Sequence, residues 1–135
     1  MGPAARLGIN EQVVFAGYRT GDYVDVMRSI DVFTLLVPGS DGGCRALVEA
    51  AACGIPSVTT RRGALPEIVV DGETGLVVAE EADALCAAWH RLLADASLCS
   101  DMGAAARRRA ERHFSRDRVA AEVERFYRSL HRERA

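Results

Sequence analysis

Apolar positions along the chain change their period part-way. Between Val13 and Val78 they fall in short continuous runs: Val13-Val14-Phe15-Ala16-Gly17, Val32-Phe33-Thr34-Leu35-Leu36-Val37, Ile55-Pro56-Ser57-Val58-Thr59-Thr60 and Leu76-Val77-Val78. Runs of this length and β-rich composition, bounded by Gly, Asp or Arg, predict buried strands. The longest, Val32 to Val37, reads as a strand covered on both faces. Pro56 sits near the start of its strand, where a missing N–H is tolerated. Between the runs the spacing is helical. Tyr23, Val26, Met27 and Ile30 stripe one short helix, and a second follows Gly43 and stops at Gly54. Arg61 to Glu67 is a turn-rich connection into a short helical or irregular Ile68-Val69-Val70, with Glu67 as a helix cap, and Asp71 to Gly75 is a tight turn. From Glu81 onward the period stays helical. Ala84, Leu85, Ala88, Trp89, Leu92 and Leu93 form one stripe, Met102, Ala105 and Ala106 mark a second, and Val119, Val123, Phe126, Tyr127 and Leu130 a third, opened by Ser115. Ahead of the first strand, Ala4 to Leu7 and then Gly8 have the pattern of a helix's last turn. The order β-α-β-α-β-(α)-β followed by three helices predicts an α/β fold, a Rossmann-like parallel sheet with flanking helices.

Composition narrows this picture without redirecting it. A chain of 135 residues, 49% apolar and 27% charged, is expected to be one ordinary globular domain. No apolar run approaches the length of a membrane span, and no secretory signal is visible, so a cytoplasmic protein with reduced thiols is expected. Cys44, Cys53, Cys86 and Cys99 show no C-x-x-C spacing, which argues against a zinc or redox motif. A net charge of -2 gives no sign of a nucleic-acid partner. The charge is uneven: residues 1–90 hold 6 Arg and 12 acids, and residues 91–135 hold 11 Arg and 7 acids. The basic tail offers weak peripheral attraction to an anionic membrane, or its arginines are simply the solvated faces of amphipathic helices. All 17 basic residues are arginine. A receiver domain, which has similar length and alternation but needs a lysine, is therefore excluded.

The candidate chemistry lies where the longest strand meets the central helix. Gly39-Ser40-Asp41-Gly42-Gly43-Cys44-Arg45-Ala46-Leu47-Val48-Glu49 runs from a flexible turn into a helix and carries an acid at each end. A glycine-rich turn feeding a helix N-terminus offers free N–H groups and the positive end of the helix dipole to an anion. Asp41 fits either a ligand contact or a helix cap. Glu49 lies among apolar helix residues, so its wet face is narrow. Cys44 beside a helix N-terminus is either a reactive thiol or a small buried residue.

In these residues the chain resembles a group 1 glycosyl transferase, a family of retaining nucleotide-sugar enzymes with the two-domain GT-B fold. The family carries two acids separated by seven residues at a strand-to-helix turn, matched by Asp41 and Glu49. Val14-Phe15-Ala16-Gly17 is similar to its V-x-F-x-G strand. Ile30-Asp31-Val32-Phe33, Glu49 to Val58, Leu65 to Val69 and Asp71 to Val78 resemble the family segments that follow in order. The resemblance runs from about Leu7 to Leu130. It implies that the chain is a partial C-terminal, donor-binding domain spanning 1–135, ending in C-terminal helices, with the N-terminal acceptor domain absent.

It further implies a nucleotide-diphosphate sugar as donor, bound by Asp41, Gly42, Gly43, Cys44, Arg45 and Glu49, with no metal or other cofactor. Glu49 would take the ribose hydroxyls, Asp41 the sugar hydroxyls, and the backbone N–H groups between them the sugar and diphosphate. Eight residue steps at helical rise span about 12 Å, a suitable length for that ligand. Arg45 would reach the diphosphate or pair with Asp41 or Glu49. The sequence departs from the family in having Asp41 for Glu, Gly43 for Phe and Cys44 for Gly or Pro. The family's donor-site arginine and lysine would lie ahead of Leu7, so the resemblance assigns no catalytic side chain here and implies that the chain alone is inactive. A non-catalytic nucleotide-sugar-binding module or remnant, and a sugar-nucleotide epimerase of the same fold, are the alternatives. His90, His113 and His131 receive no role.

Overall fold

The computed structural model describes residues 2–37 and 44–132. Three strands form one parallel sheet in the order β1-β2-β3: β1 is Phe33–Leu35, β2 is Ser57–Thr60 and β3 is Gly75–Val78. Phe33 pairs with Ser57, and Ser57 in turn with Gly75. Helices α1 (Pro3–Arg6) and α2 (Tyr23–Arg28) precede β1. Helix α3 (Arg45–Ala52) connects β1 to β2, and the short α4 (Leu65–Ile68) connects β2 to β3. Then follow α5 (Ala82–Ala94), α6 (Ala96–His113) and α7 (Arg116–Arg132).

The two-residue period of the strands sorts the core into two faces. Phe33, Leu35 and Val77 point to one side, where they meet Cys44 and Leu47 of the α3 turn and Leu65, Ile68 and Val69. Val32, Val58, Leu76 and Val78 point to the other, against Leu85, Ala88 and Leu92 of α5 and Met102 of α6. β2 is buried along its whole length, and its two threonines are satisfied across the sheet. Thr59 Oγ1 donates to the Leu35 carbonyl at 2.6 Å and Thr60 Oγ1 to the Leu36 carbonyl at 2.5 Å. The strand covered on both faces is thus β2, whereas β1 is only half-buried, because it forms an edge of the described sheet.

One predicted strand does not form. Val13 to Gly17 follows a 3-10 turn, Asn10–Gln12, as irregular chain, with Val14 85% and Phe15 88% exposed. A strand needs a neighbouring edge for its N–H and C=O groups as well as apolar side chains. Among the described residues, β1 pairs only with β2, and the 13–17 segment has no ladder partner.

α6 ties the two faces together. Met102 joins the α5 side, Gly103 lies against Gly54 at the end of α3, and Arg109 donates to the carbonyls of Ile68 at 2.9 Å and Glu67 at 2.6 Å. The expected cap Glu67 lies in the first turn of α4. The predicted stripe of α7, including Phe126 and Tyr127, faces solvent. Its arginines pair along the helix, Arg118 with Glu122 at 2.9 Å and Arg128 with Glu124 at 2.6 Å, the arrangement of a solvated helix face. Among the described residues no helix is long and apolar enough to cross a membrane. None of the four cysteines forms a disulfide.

Candidate functional site

The central helix begins under strain and ends with an ordered cap. Cys44, at its N-cap, adopts a left-handed conformation with φ 45°, which costs a residue bearing a Cβ about 1–2 kcal/mol. The residue is buried and packs with Leu47 and Leu65, so the small-core-residue alternative holds for its side chain. At the other end Gly54, at φ 79°, closes a Schellman cap. Its N–H donates to Ala51 at 2.9 Å, and that of Ile55 to Ala50 at 3.0 Å.

Asp41, Gly42 and Gly43 lie outside the described residues. The structure does bring Arg45 and Glu49 together: one turn apart on α3, they form an ion pair with Arg45 Nε 3.2 Å from Glu49 Oε1. Of the three roles open to Arg45 in the sequence, the pairing with Glu49 is the one observed. The Arg45 side chain is 83% exposed, so this contact alone holds it weakly.

A residue that the sequence treated only as part of an apolar stripe completes the group. Tyr23, the first residue of α2, donates its hydroxyl to Glu49 Oε2 at 2.5 Å. The two helices meet through a buried cluster of Met27, Ala50 and Ile55. The only local sign in the sequence is that a tyrosine, unlike its aliphatic stripe-mates, carries a polar tip that seeks a partner. Glu49 opens onto a cleft of about 830 Å³, lined also by Gly17, Tyr18, Arg19, Tyr23 and Arg45. The 16–20 loop, expected to enter the core at its start, instead forms one wall of this cleft. Arg19 is held there by the Asp22 carboxylate.

The Tyr23 hydroxyl is pushed up to about 12, first by its hydrogen bond to Glu49, then by partial burial and the carboxylate charge. Its folded-state value therefore lies above the unfolded value near 10. This contribution to stability is fully present below pH 10 and is lost as pH rises through about 12. Urea unfolding of the wild-type chain is expected to lose midpoint between pH 10 and 12 more steeply than that of Tyr23→Phe. Parallel curves for the two would show that the hydrogen bond does not stabilise the fold.

Comparison with known proteins identifies the family of the chain. A sequence model described as "Glycosyl transferases group 1" matches residues 2–109. The chain belongs to the group 1 glycosyl transferases. Among its relatives is the GDP-mannose-dependent alpha-(1-6)-phosphatidylinositol monomannoside mannosyltransferase of Mycolicibacterium smegmatis. It is 36% identical over 112 residues, which are 77% of this chain and 29% of the relative. Another is the N-acetyl-alpha-D-glucosaminyl L-malate synthase of Bacillus anthracis, 31% identical over 123 residues, which are 90% of this chain and 32% of the relative. The chain thus spans about a third of the length of these relatives. In three dimensions it is similar to the sucrose-phosphate synthase of Thermosynechococcus elongatus, with a TM-score of 0.81 at 28% identity over 96% of this chain and 33% of that one. The parallel α/β architecture is that of the GT-B glycosyltransferases, as the sequence predicts.

Proposed function

We propose that this chain binds a nucleotide-diphosphate sugar, as the donor-binding part of a longer retaining glycosyltransferase whose acceptor is held by a second domain. The observation that carries this is the Glu49 carboxylate, hydrogen-bonded by Tyr23 at Oε2, ion-paired with Arg45 at Oε1 and still facing the cleft. A carboxylate has about four acceptor positions, and the Tyr23 hydroxyl takes one. Those that stay open suit the adjacent hydroxyls of a ribose through charge-assisted hydrogen bonds.

A nucleotide donor is further supported by the Mycolicibacterium relative, which is GDP-mannose-dependent by name. The Bacillus relative is named for a different sugar, N-acetylglucosamine, so the proposal stops at the class of donor. By the motif, Asp41 is assigned to hydroxyls of the sugar, and the backbone N–H groups of Gly42, Gly43, Cys44 and Arg45 to the sugar and diphosphate. Donors fixed in that place stabilise the negative charge that gathers on the leaving diphosphate as the glycosyl bond breaks. The chain's own side-chain cations for that charge are arginines, since it contains no lysine.

Calorimetric titration with UDP, GDP and ADP tests the proposal. At least one is expected to bind with a dissociation constant of about 1 mM or tighter, a modest free energy near 4 kcal/mol. No heat from any of them at millimolar concentration would overturn it.

A further inference from the structure

We propose that Tyr23 is a positioning residue for ligand recognition: its hydroxyl locks the Glu49 carboxylate so that the free lone pairs of both oxygens face the cleft and accept a vicinal diol. This rests on Glu49 being the diol acceptor, as proposed above. Tyr23 donates a hydrogen bond to Oε2, while Arg45 forms only an exposed ion pair at Oε1, so the hydroxyl is the contact that orients the carboxylate.

They are not equal partners. Arg45 is a flexible, largely exposed side chain on the same helix as Glu49 and moves with it. Tyr23 comes from a different helix, α2, which packs on α3 through Met27 and Ala50, and its ring has only two side-chain torsions. A free glutamate explores many rotamers and loses that freedom when it binds a ligand. A carboxylate already held in the binding orientation gives up less, which is how preorganisation raises affinity. Tyr23 also lines the cleft, so its hydrogen bond lies beside the ligand and not behind it.

The position of Tyr23 makes a selective test available, because a diol clamp matters only to a ligand that has the diol. The chain is titrated with UDP and GDP and with their 2′,3′-dideoxy counterparts, as wild type, Tyr23→Phe and Glu49→Gln. Wild type is expected to favour the ribose form about a hundredfold, the scale of two hydrogen bonds to a charged group. Glu49→Gln should bring that ratio close to one. Tyr23→Phe should cut it to about tenfold, with a much smaller change in the dideoxy affinity than in the ribose affinity.

A full ratio in Tyr23→Phe alongside a collapsed one in Glu49→Gln would overturn the role of Tyr23 and leave Glu49 as the diol acceptor. An equal loss for both ligand forms in Tyr23→Phe would make Tyr23 structural only, which also overturns the proposal. A ratio that survives Glu49→Gln would remove the underlying assignment of Glu49, and the clamp with it.

Discussion

Gly103→Ala should destabilise the chain by about 2 kcal/mol or more, although alanine is the better helix former. By propensity alone, the change inside α6 would stabilise it by about 1 kcal/mol. Packing reverses the sign. A Cβ built on Gly103 would lie 2.1 Å from the Gly54 carbonyl oxygen, 3.1 Å from its carbon and 3.3 Å from Pro56 Cδ. These neighbours cannot swing aside like the end of a long side chain. Gly54 is committed to the Schellman cap of α3, and Pro56 leads directly into the fully buried β2. Relief therefore requires α6 to separate from α3, which disturbs Met102 on one side and the Arg109 contacts to α4 on the other. Against a total stability of about 5–15 kcal/mol, such a loss is large. Urea unfolding would show it as a lowered midpoint at unchanged slope, with Gly2→Ala as control, since nothing lies within 4 Å of a Cβ built there. A midpoint equal to or above wild type would mean that α3 and α6 are not locked together here.

That contact also shows where the sequence stopped being informative. Features set by neighbours along the chain were legible: the helical stripe of α2, the α3 helix and its Gly54 stop, the parallel β2 and β3 runs, and three terminal helices. Features set by residues far apart were not. Gly103 carries no mark of the backbone it abuts, and Tyr23 and Glu49 are 26 residues apart. The Val13 to Gly17 run has the composition of a strand, yet pairing depends on an edge that composition does not specify. The resemblance to the family singled out both acids of the motif. Of the two, Glu49 falls in the described structure, and its geometry there added a partner that spacing could not show. Asp41 remains an expectation from the motif.

Glu49→Ala should weaken nucleotide binding about a hundredfold while leaving stability within about 1 kcal/mol of wild type. The reason is an asymmetry between what the carboxylate does for the fold and what it is proposed to do for the ligand. For the fold it is a partly exposed group, 36% accessible, whose ion pair with the still more exposed Arg45 contributes little. Its removal frees the Tyr23 hydroxyl, which sits at the cleft and can turn to water. For the ligand it supplies two charge-assisted hydrogen bonds to adjacent hydroxyls, each worth about 1.5–3 kcal/mol. Losing both costs about 3 kcal/mol or more, which is a hundredfold in the binding constant. Alanine also removes one negative charge from the cleft that would hold the diphosphate, so part of the loss is offset electrostatically, and the offset shrinks with added salt. Calorimetry at two salt concentrations, together with urea unfolding of the same protein, measures both halves. Binding within twofold of wild type would show that Glu49 is a helix-surface residue and not the ribose acceptor. A collapse of stability alongside binding would show that its pairing with Tyr23 serves the fold first.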